Sequence, residues 1–176
     1  ANTGTLQAID DSTLKLTTLT VTNTGGTVTV GSGSTLDMVS ATIIGGTLGN
    51  SGTLDSTGTS AITNVGITNS GLIESTAGTL TIDPPVAGPT LTNSGTLEAN
   101  GGELDITSDP IANTGTLQAI DDSTLKLTTL TVTNTGGTVA VGSGSTLDLA
   151  SVTINGGAIT DNGTINVDTT DTLKLS

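Results

Sequence analysis

Apolar and polar residues alternate along this chain in short runs separated by Gly, Asn, Asp and Ser. The first three runs are Gly4 to Ala8 (GTLQA), Ser12 to Leu16 (STLKL) and Leu19 to Thr22 (LTVT). A period of two marks a strand with one buried face, and no segment shows a convincing helical period. Thr and Val suit a pleated, half-buried surface, while Gly and Asn accept the positive backbone angles of tight turns. The pattern therefore predicts an all-β chain of short strands.

The strands recur. Residues 1–28 return unchanged as residues 112–139, an offset of 111, and the match continues to Asp37 and Asp148 with only Thr29 becoming Ala140. A shorter period lies inside the long one. Turn signals of the form Asn-x-Gly or Asn-Gly open units at Asn2, Asn23, Asn50, Asn69, Asn93, Asn113, Asn134 and Asn162, with spacings of 21, 27, 19, 24, 20, 21 and 28. Strands too short to bury themselves, repeated at such a period, require neighbouring units to stack. The expected fold is a parallel β-helix, or β-solenoid, of about eight coils of 19–28 residues, right-handed by the general preference of parallel crossovers. Residues 1–176 then form a single solenoid, with residues 1–111 a five-coil block and 112–176 a partial second copy. At the spacing of paired strands, eight coils make a rod about 38 Å long.

Inward positions taken in this phase form two columns. One holds Leu6, Val28, Leu54, Ile73, Leu97, Leu117, Val139 and Ile165, and the other Leu14, Leu36, Leu80, Leu104, Leu125, Leu147 and Leu173. Outward positions form a threonine ladder of Thr5, Thr27, Thr53, Thr96, Thr116, Thr138 and Thr164, interrupted by Leu72. Beside it runs Gln7, Thr29, Asp55, Glu74, Glu98, Gln118, Ala140 and Asn166. The third strand of each unit is the least regular, with extra residues expected at 45–49, 63–68 and 83–89. Pro84, Pro85 and Pro89 cannot donate to a strand ladder and should bulge outward.

Composition narrows the chemistry. The 44 Leu, Ile and Val residues are 25% of the 176, above the roughly 20% below which a chain remains disordered. There is no Phe, Trp, Tyr, Cys, His or Arg. That removes the usual zinc and iron–sulfur ligands, thiol nucleophiles and imidazole bases. Sixteen acids against three lysines give a net charge of -13, which repels nucleic acid and anionic membrane surfaces. No apolar run approaches the roughly 18 residues of a membrane-spanning helix, so no membrane insertion of this segment is expected.

Units such as NTGTLQA, NSGTLEA, TNTGGTV and GSGSTLDL resemble the repetitive stalks of large bacterial surface adhesins, including autotransporter passengers and repeat proteins exported by one-step secretion. The resemblance covers essentially the whole chain. It implies an extracellular, cell-surface, rod-shaped segment, a structural part of an adhesin, fibre or biofilm matrix rather than an enzyme. The chain starts in repeat phase and stops during its eighth unit, so it reads as a piece of a longer array. The expected partners are neighbouring solenoid repeats, like chains joined end to end, and surface glycans or matrix.

Few residues invite a specific chemistry. Asp10–Asp11 and their copies Asp121–Asp122 are the candidate metal ligands, for weakly held Ca2+, although Asp is also a common turn residue. Val30 to Asp37 lacks the Gly-Gly-x-Gly-x-Asp spacing of calcium-binding β-rolls. Only Asn162-Gly163-Thr164 fits a glycosylation sequon. The unit-opening asparagines are expected to shape turns and to hydrogen-bond from coil to coil. No cofactor is implied. Besides a stalk, three readings stay open: a self-assembling filament subunit, an ice-binding solenoid built on the threonine ladder, and a polysaccharide-active β-helix using an acid pair. The third lacks an aromatic platform for a sugar ring, and charge beside the threonine ladder counts against the second.

Overall fold

The structure, a computed structural model, describes residues 1–85, 91–108 and 110–174. Among these residues there are twenty-three strands and no helix. Every strand pairing is parallel, and each joins a strand to one in the next coil. The result is a β-solenoid of about eight turns with three faces. The first face is a nine-stranded sheet from Thr5–Ala8 to Thr172–Lys174. The second and third faces merge into one fourteen-stranded sheet, because Thr53–Thr63 and Leu72–Asp83 run unbroken round the corner between them. Gly58 and Gly78 make that bend, at φ of 70° and 76°. An added side chain there is strained in itself, and on Gly78 it would also meet the Gly58 backbone of the coil before.

Each face contributes aliphatic columns to one core. On the first face Leu6, Val28, Leu48, Ile67, Leu91, Ile111, Val132, Ile154 and Leu173 stack in register. Leu14, Leu36, Leu54, Ile73, Leu97, Leu117, Val139 and Ile159 do so on the second. The third carries Val21, Ile43, Ile62, Ile82, Ile106, Leu127 and Leu149, with Leu80, Leu104, Leu125, Leu147 and Ile165 beside them in the later coils. Most of these side chains are completely buried. At roughly 1.5–3 kcal/mol for a fully buried aliphatic side chain, the columns are the main stabilising term. None of the individual strands is long enough to supply it alone.

On the first face the coils advance by 19 to 24 residues, as the pairs from Leu6–Val28 to Ile154–Leu173 show. The two expected intervals of 27 and 28 are longer than any coil. Asn23 sits at the corner between the third and first faces, whereas Asn50 ends the first-face strand Thr47–Asn50. The step between them is one turn and one further face. Asn134 to Asn162 repeats that step, since Asn162 follows the second-face strand Ala158–Asp161.

This corrects the expected columns. Leu6 and Val28 lie on the first face, but Leu54, Ile73, Leu97, Leu117 and Val139 lie on the second and Ile165 on the third. In the other expected column, Leu14 and Leu36 are on the second face, Leu80, Leu104, Leu125 and Leu147 on the third, and Leu173 on the first. Inward and outward were legible, because pleating fixes them. The face was not, because similar turn residues occur at all three corners.

The long duplication is affected too. Leu6 climbs the first face in five steps to Ile111, yet its sequence copy Leu117 is one face further on. The 111-residue offset thus spans five and one-third coils. The expected extra residues at 45–49 and 63–68 are the Gly45–Gly46 corner, the strand Thr47–Asn50, the Asn64–Val65 corner and the start of the strand Gly66–Asn69. At the proline segment the strand does end, at Asp83. Pro84 is buried and Pro85 half-buried rather than projecting, and Pro89 lies outside the described residues.

Candidate interaction faces

Asparagine organises two corners. Where the third face turns into the first, Asn2 Nδ2 donates to Asn23 Oδ1 at 2.7 Å. Where the first turns into the second, five asparagines form a continuous ladder: Asn50 to Asn69 at 2.7 Å, Asn69 to Asn93 at 2.8 Å, Asn93 to Asn113 at 2.7 Å and Asn113 to Asn134 at 2.6 Å. The same amides also donate to backbone carbonyls of the turns, such as Gly71 and Thr96 for Asn69. All five side chains are buried. The expected coil-to-coil bonds between asparagines are therefore present from Asn2 to Asn23 and from Asn50 to Asn134, but not from Asn23 to Asn50 or from Asn134 to Asn162, and they satisfy polar groups that would otherwise be costly inside a core. Asn50 Oδ1 is the exception, left without a partner because Val30 stands beneath it.

The glycines that follow Asn69, Asn93 and Asn113 in these signals have a separate reason. A Cβ on Gly71, Gly95 or Gly115 would collide with the carbonyl oxygen of the stacked glycine in the coil before. Asn supplies the axial bond and Gly permits the close approach.

Charge is distributed unequally over the faces. The second face carries an outward column of Lys15, Asp37, Asp55, Glu74, Glu98, Gln118 and Ala140. Lys15 pairs with Asp37 at 2.6 Å. Three further carboxylates, Asp55, Glu74 and Glu98, follow Asp37 in consecutive coils. Thr76 Oγ1 donates to Asp55 at 2.6 Å, Asn100 Nδ2 donates to Glu74 at 3.0 Å, and Gln118 Nε2 donates to Glu98. Partial burial raises the Glu74 carboxyl above its ordinary value; the Asn100 bond works against that rise, and the Asp55 and Glu98 charges add to it. On the third face Lys126 reaches Asp105 at 3.5 Å.

The first face is different. Its outward positions are Gln7, Thr29, Gly49, Thr68, Thr92, Ala112, Thr133 and Asn155 in one column, and Thr5, Thr27, Thr47, Gly66, Thr131, Thr153 and Thr172 among those in the other. No charged side chain stands among these positions before Lys174. The expected threonine ladder is in fact split. Thr53, Thr96, Thr116 and Thr138 belong to the second face, where they stack with Thr13, Thr35 and the expected interruption at Leu72. Thr5 and Thr27 belong to the first, and Thr164 to the third. The charged neighbouring column thus accompanies the second-face threonines only. Sequence reasoning missed this uncharged surface because its column took Gln7 and Thr29 from one face and Asp55 and Glu74 from another. Hydroxyl pairing contributes little to it; Thr27 and Thr47 approach to 3.2 Å.

The acid pairs sit on different corners. Asp10–Asp11 turn the chain from the first face to the second, and Asp121–Asp122 from the second to the third. All four have φ between 55° and 58°, the left-handed region that Asp and Asn tolerate best among non-glycine residues. Ser12 N donates to Ile9 O at 3.3 Å across the first pair. The Asp11 carboxylate lies over Gly33, and that of Asp122 over Gly144. Each pair is thus a two-residue turn with its own place in the stack. Among the described residues no three acidic side chains converge as metal ligands do. Comparison with family models, with curated proteins and with solved structures gives no match.

Proposed function

We propose that this chain is a structural stalk or fibre segment of a bacterial extracellular adhesin or matrix protein. The observation that carries the reading is axial continuity. Strand ladders, aliphatic columns and the Asn50–Asn134 ladder link each coil to the next, so tension along the rod is shared by many parallel bonds. The cell-surface part of the reading rests on the repeat style of units such as NTGTLQA and GSGSTLDL. Acids on the second and third faces keep such rods apart, since like charges repel across a Debye length of about 8 Å in physiological salt.

Single-molecule pulling between the chain ends tests this. A load-bearing rod gives a sawtooth in which each event releases one or a few coils, about 65–80 Å of contour per coil of 19–24 residues. Featureless extension at low force would remove the mechanical reading.

A second reading is favoured by one observation, the uncharged first face. A flat array of hydroxyl, amide and glycine positions repeating every 4.8 Å or so is a surface on which water can order, as an ice-binding solenoid requires. Measured thermal hysteresis that vanishes in Thr29→Lys and Thr133→Lys would establish it; its absence in the unmodified chain would dismiss it.

A further inference from the structure

The sequence holds three Asn-Gly pairs, Asn100–Gly101, Asn155–Gly156 and Asn162–Gly163. Such a pair can react with itself, because glycine has no Cβ to keep its backbone nitrogen away from the amide carbon of the preceding side chain. That nitrogen must first give up its proton, and a hydrogen bond to an acceptor holds the N–H in place. The structure separates the three pairs on this point. Gly156 N donates to Lys174 O at 2.6 Å and Gly163 N to the Asp161 carboxylate at 2.9 Å. Gly101 N donates to no group among the described residues, because strand pairing with the coil below stops at Ser75–Ala99 and resumes only at Thr79–Glu103. Gly101 is also exposed, so water reaches it.

A second group is placed for the same chemistry. Asn100 ends the strand Thr96–Asn100, and its side chain reaches across to the coil below, where Nδ2 donates to Glu74 Oε2 at 3.0 Å. Glu74 thus touches the nitrogen that deamidation expels, at a distance that allows direct proton transfer. Partial burial, and then the Asp55 and Glu98 charges that flank it along the column, favour its protonated form against the pull of the Asn100 bond. We propose that Asn100–Gly101 is a self-deamidating site in which Glu74 protonates the departing nitrogen. The Gly101 nitrogen passes its proton to solvent and bonds to Asn100 Cγ. The Cγ–Nδ2 bond breaks, and the nitrogen leaves as ammonia with a proton from Glu74, which regains one from water. Water then opens the cyclic imide, at Cγ to leave aspartate or at the main-chain carbonyl to leave isoaspartate. Either product loosens the corner between the second and third faces. Aspartate sets a carboxylate where the amide donated to Glu74. Isoaspartate lengthens the backbone beside Gly102, whose N–H bonds Ser75 O at 3.2 Å and on which a Cβ would meet Ser75 Oγ at 2.5 Å. The change is irreversible and adds charge to the acidic face, and it does not depend on the stalk reading.

Prolonged incubation of the chain at neutral pH, followed by peptide mass spectrometry, tests this. In the folded chain Asn100 is expected to convert to acid at least about tenfold faster than Asn155 or Asn162, and in urea the three rates are expected to converge. Glu74→Gln keeps an acceptor for the Asn100 amide but lacks an acidic proton, and is expected to slow Asn100 by about tenfold. Because that variant also relieves charge crowding, Glu98→Gln is the control. It relieves the same crowding, but the Glu98 carboxylate bonds Gln118 rather than Asn100, so it is expected to leave the Asn100 rate unchanged. Asn100→Asp, which carries the first product, is expected to melt below the unmodified chain, and a melt at or above it overturns the loosening of the corner. Conversion of Asn100 no faster than of the other two, an unchanged rate in Glu74→Gln, or equal slowing by both glutamine variants overturns the proposal.

Discussion

Residues 1–28 and 112–139 are the same 28 residues in two different surroundings. The first copy forms the open end of the solenoid and the second lies inside it. Leu14 is partly exposed where Leu125 is fully buried; Asn2 is half-exposed where Asn113 both accepts from Asn93 and donates to Asn134. Gly4 has open space around the position of a Cβ, whereas on Gly115 that atom would strike the Gly95 carbonyl. Position in the stack, rather than residue identity, decides what each side chain contributes. The comparison also shows that the three faces accept one another's strands, since the second copy is rotated by a face.

The largest expected difference between the copies is Leu125→Asp against Leu14→Asp. A charge in the closed column is expected to cost about 4–5 kcal/mol or more and to abolish cooperative unfolding, while Leu14→Asp, at the frayed end, costs less than half as much. Urea unfolding followed by circular dichroism measures both, and equal losses would break the comparison. Gly115→Ala comes next, at about 2–4 kcal/mol because stacked backbones must separate; Gly4→Ala is expected within about 0.5 kcal/mol of the unmodified chain. Asn113→Ala interrupts the buried ladder and leaves Asn93 and Asn134 each short of a bond, at about 2 kcal/mol, against well under 1 kcal/mol for Asn2→Ala.

Val30 and Val141 sharpen the comparison further, being sequence copies on different faces. Each stands above an alanine, Ala8 or Ala119, but Val30→Asn extends the buried asparagine ladder and offers a donor to the unpartnered Asn50 Oδ1 above it, whereas Val141→Asn meets the exposed Asp161, whose carboxylate already accepts from Gly163 N. The first is expected to be milder by at least about 1 kcal/mol in the same urea assay.

The smallest effect concerns the contrast between faces. Because the folded-state carboxyl of Glu74 titrates above its ordinary value of 4.5, ionised Glu74 weakens the fold. Acidification through its folded value therefore restores stability, and a rise in pH removes it. Glu74→Gln is expected to melt higher than the unmodified chain at pH 7, with the gap closing as the pH falls toward 4.5. Thermal melts across that range measure it, and a constant gap would contradict a Glu74 carboxyl raised first by its partial burial and then by the neighbouring acids. Gln118→Glu, which extends the column by one carboxylate, is expected to move the melting point the opposite way at pH 7.

Much of this is legible in the sequence alone. Leu6, Leu14 and Val21 alternate with polar residues, and that identifies each as inward. Asn50, Asn69, Asn93 and Asn113 recur at 19 to 24 residues, and that is the coil length. The uncharged first face is hidden in the sequence, because Asp55 follows the last glycine of its turn signal at the same offset as Gln7 and Thr29 follow theirs. Only pairing Val28 with Leu48, in a stretch with no Asn-x-Gly signal between them, separates the two faces. Gly45–Gly46 makes the corner there that asparagine makes elsewhere.

By itself, then, the sequence determined the strand type, the inward and outward sides, the turn chemistry and the stacking repeat, all of which depend on residues close together in the chain. Tertiary structure alone decided which of three faces each strand joins. A strand's face depends on the coil beneath it, twenty or so residues away, and two identical segments that land on different coils take different faces. The distribution of charge, the course of the asparagine ladder and the shape of the two ends all follow from that choice.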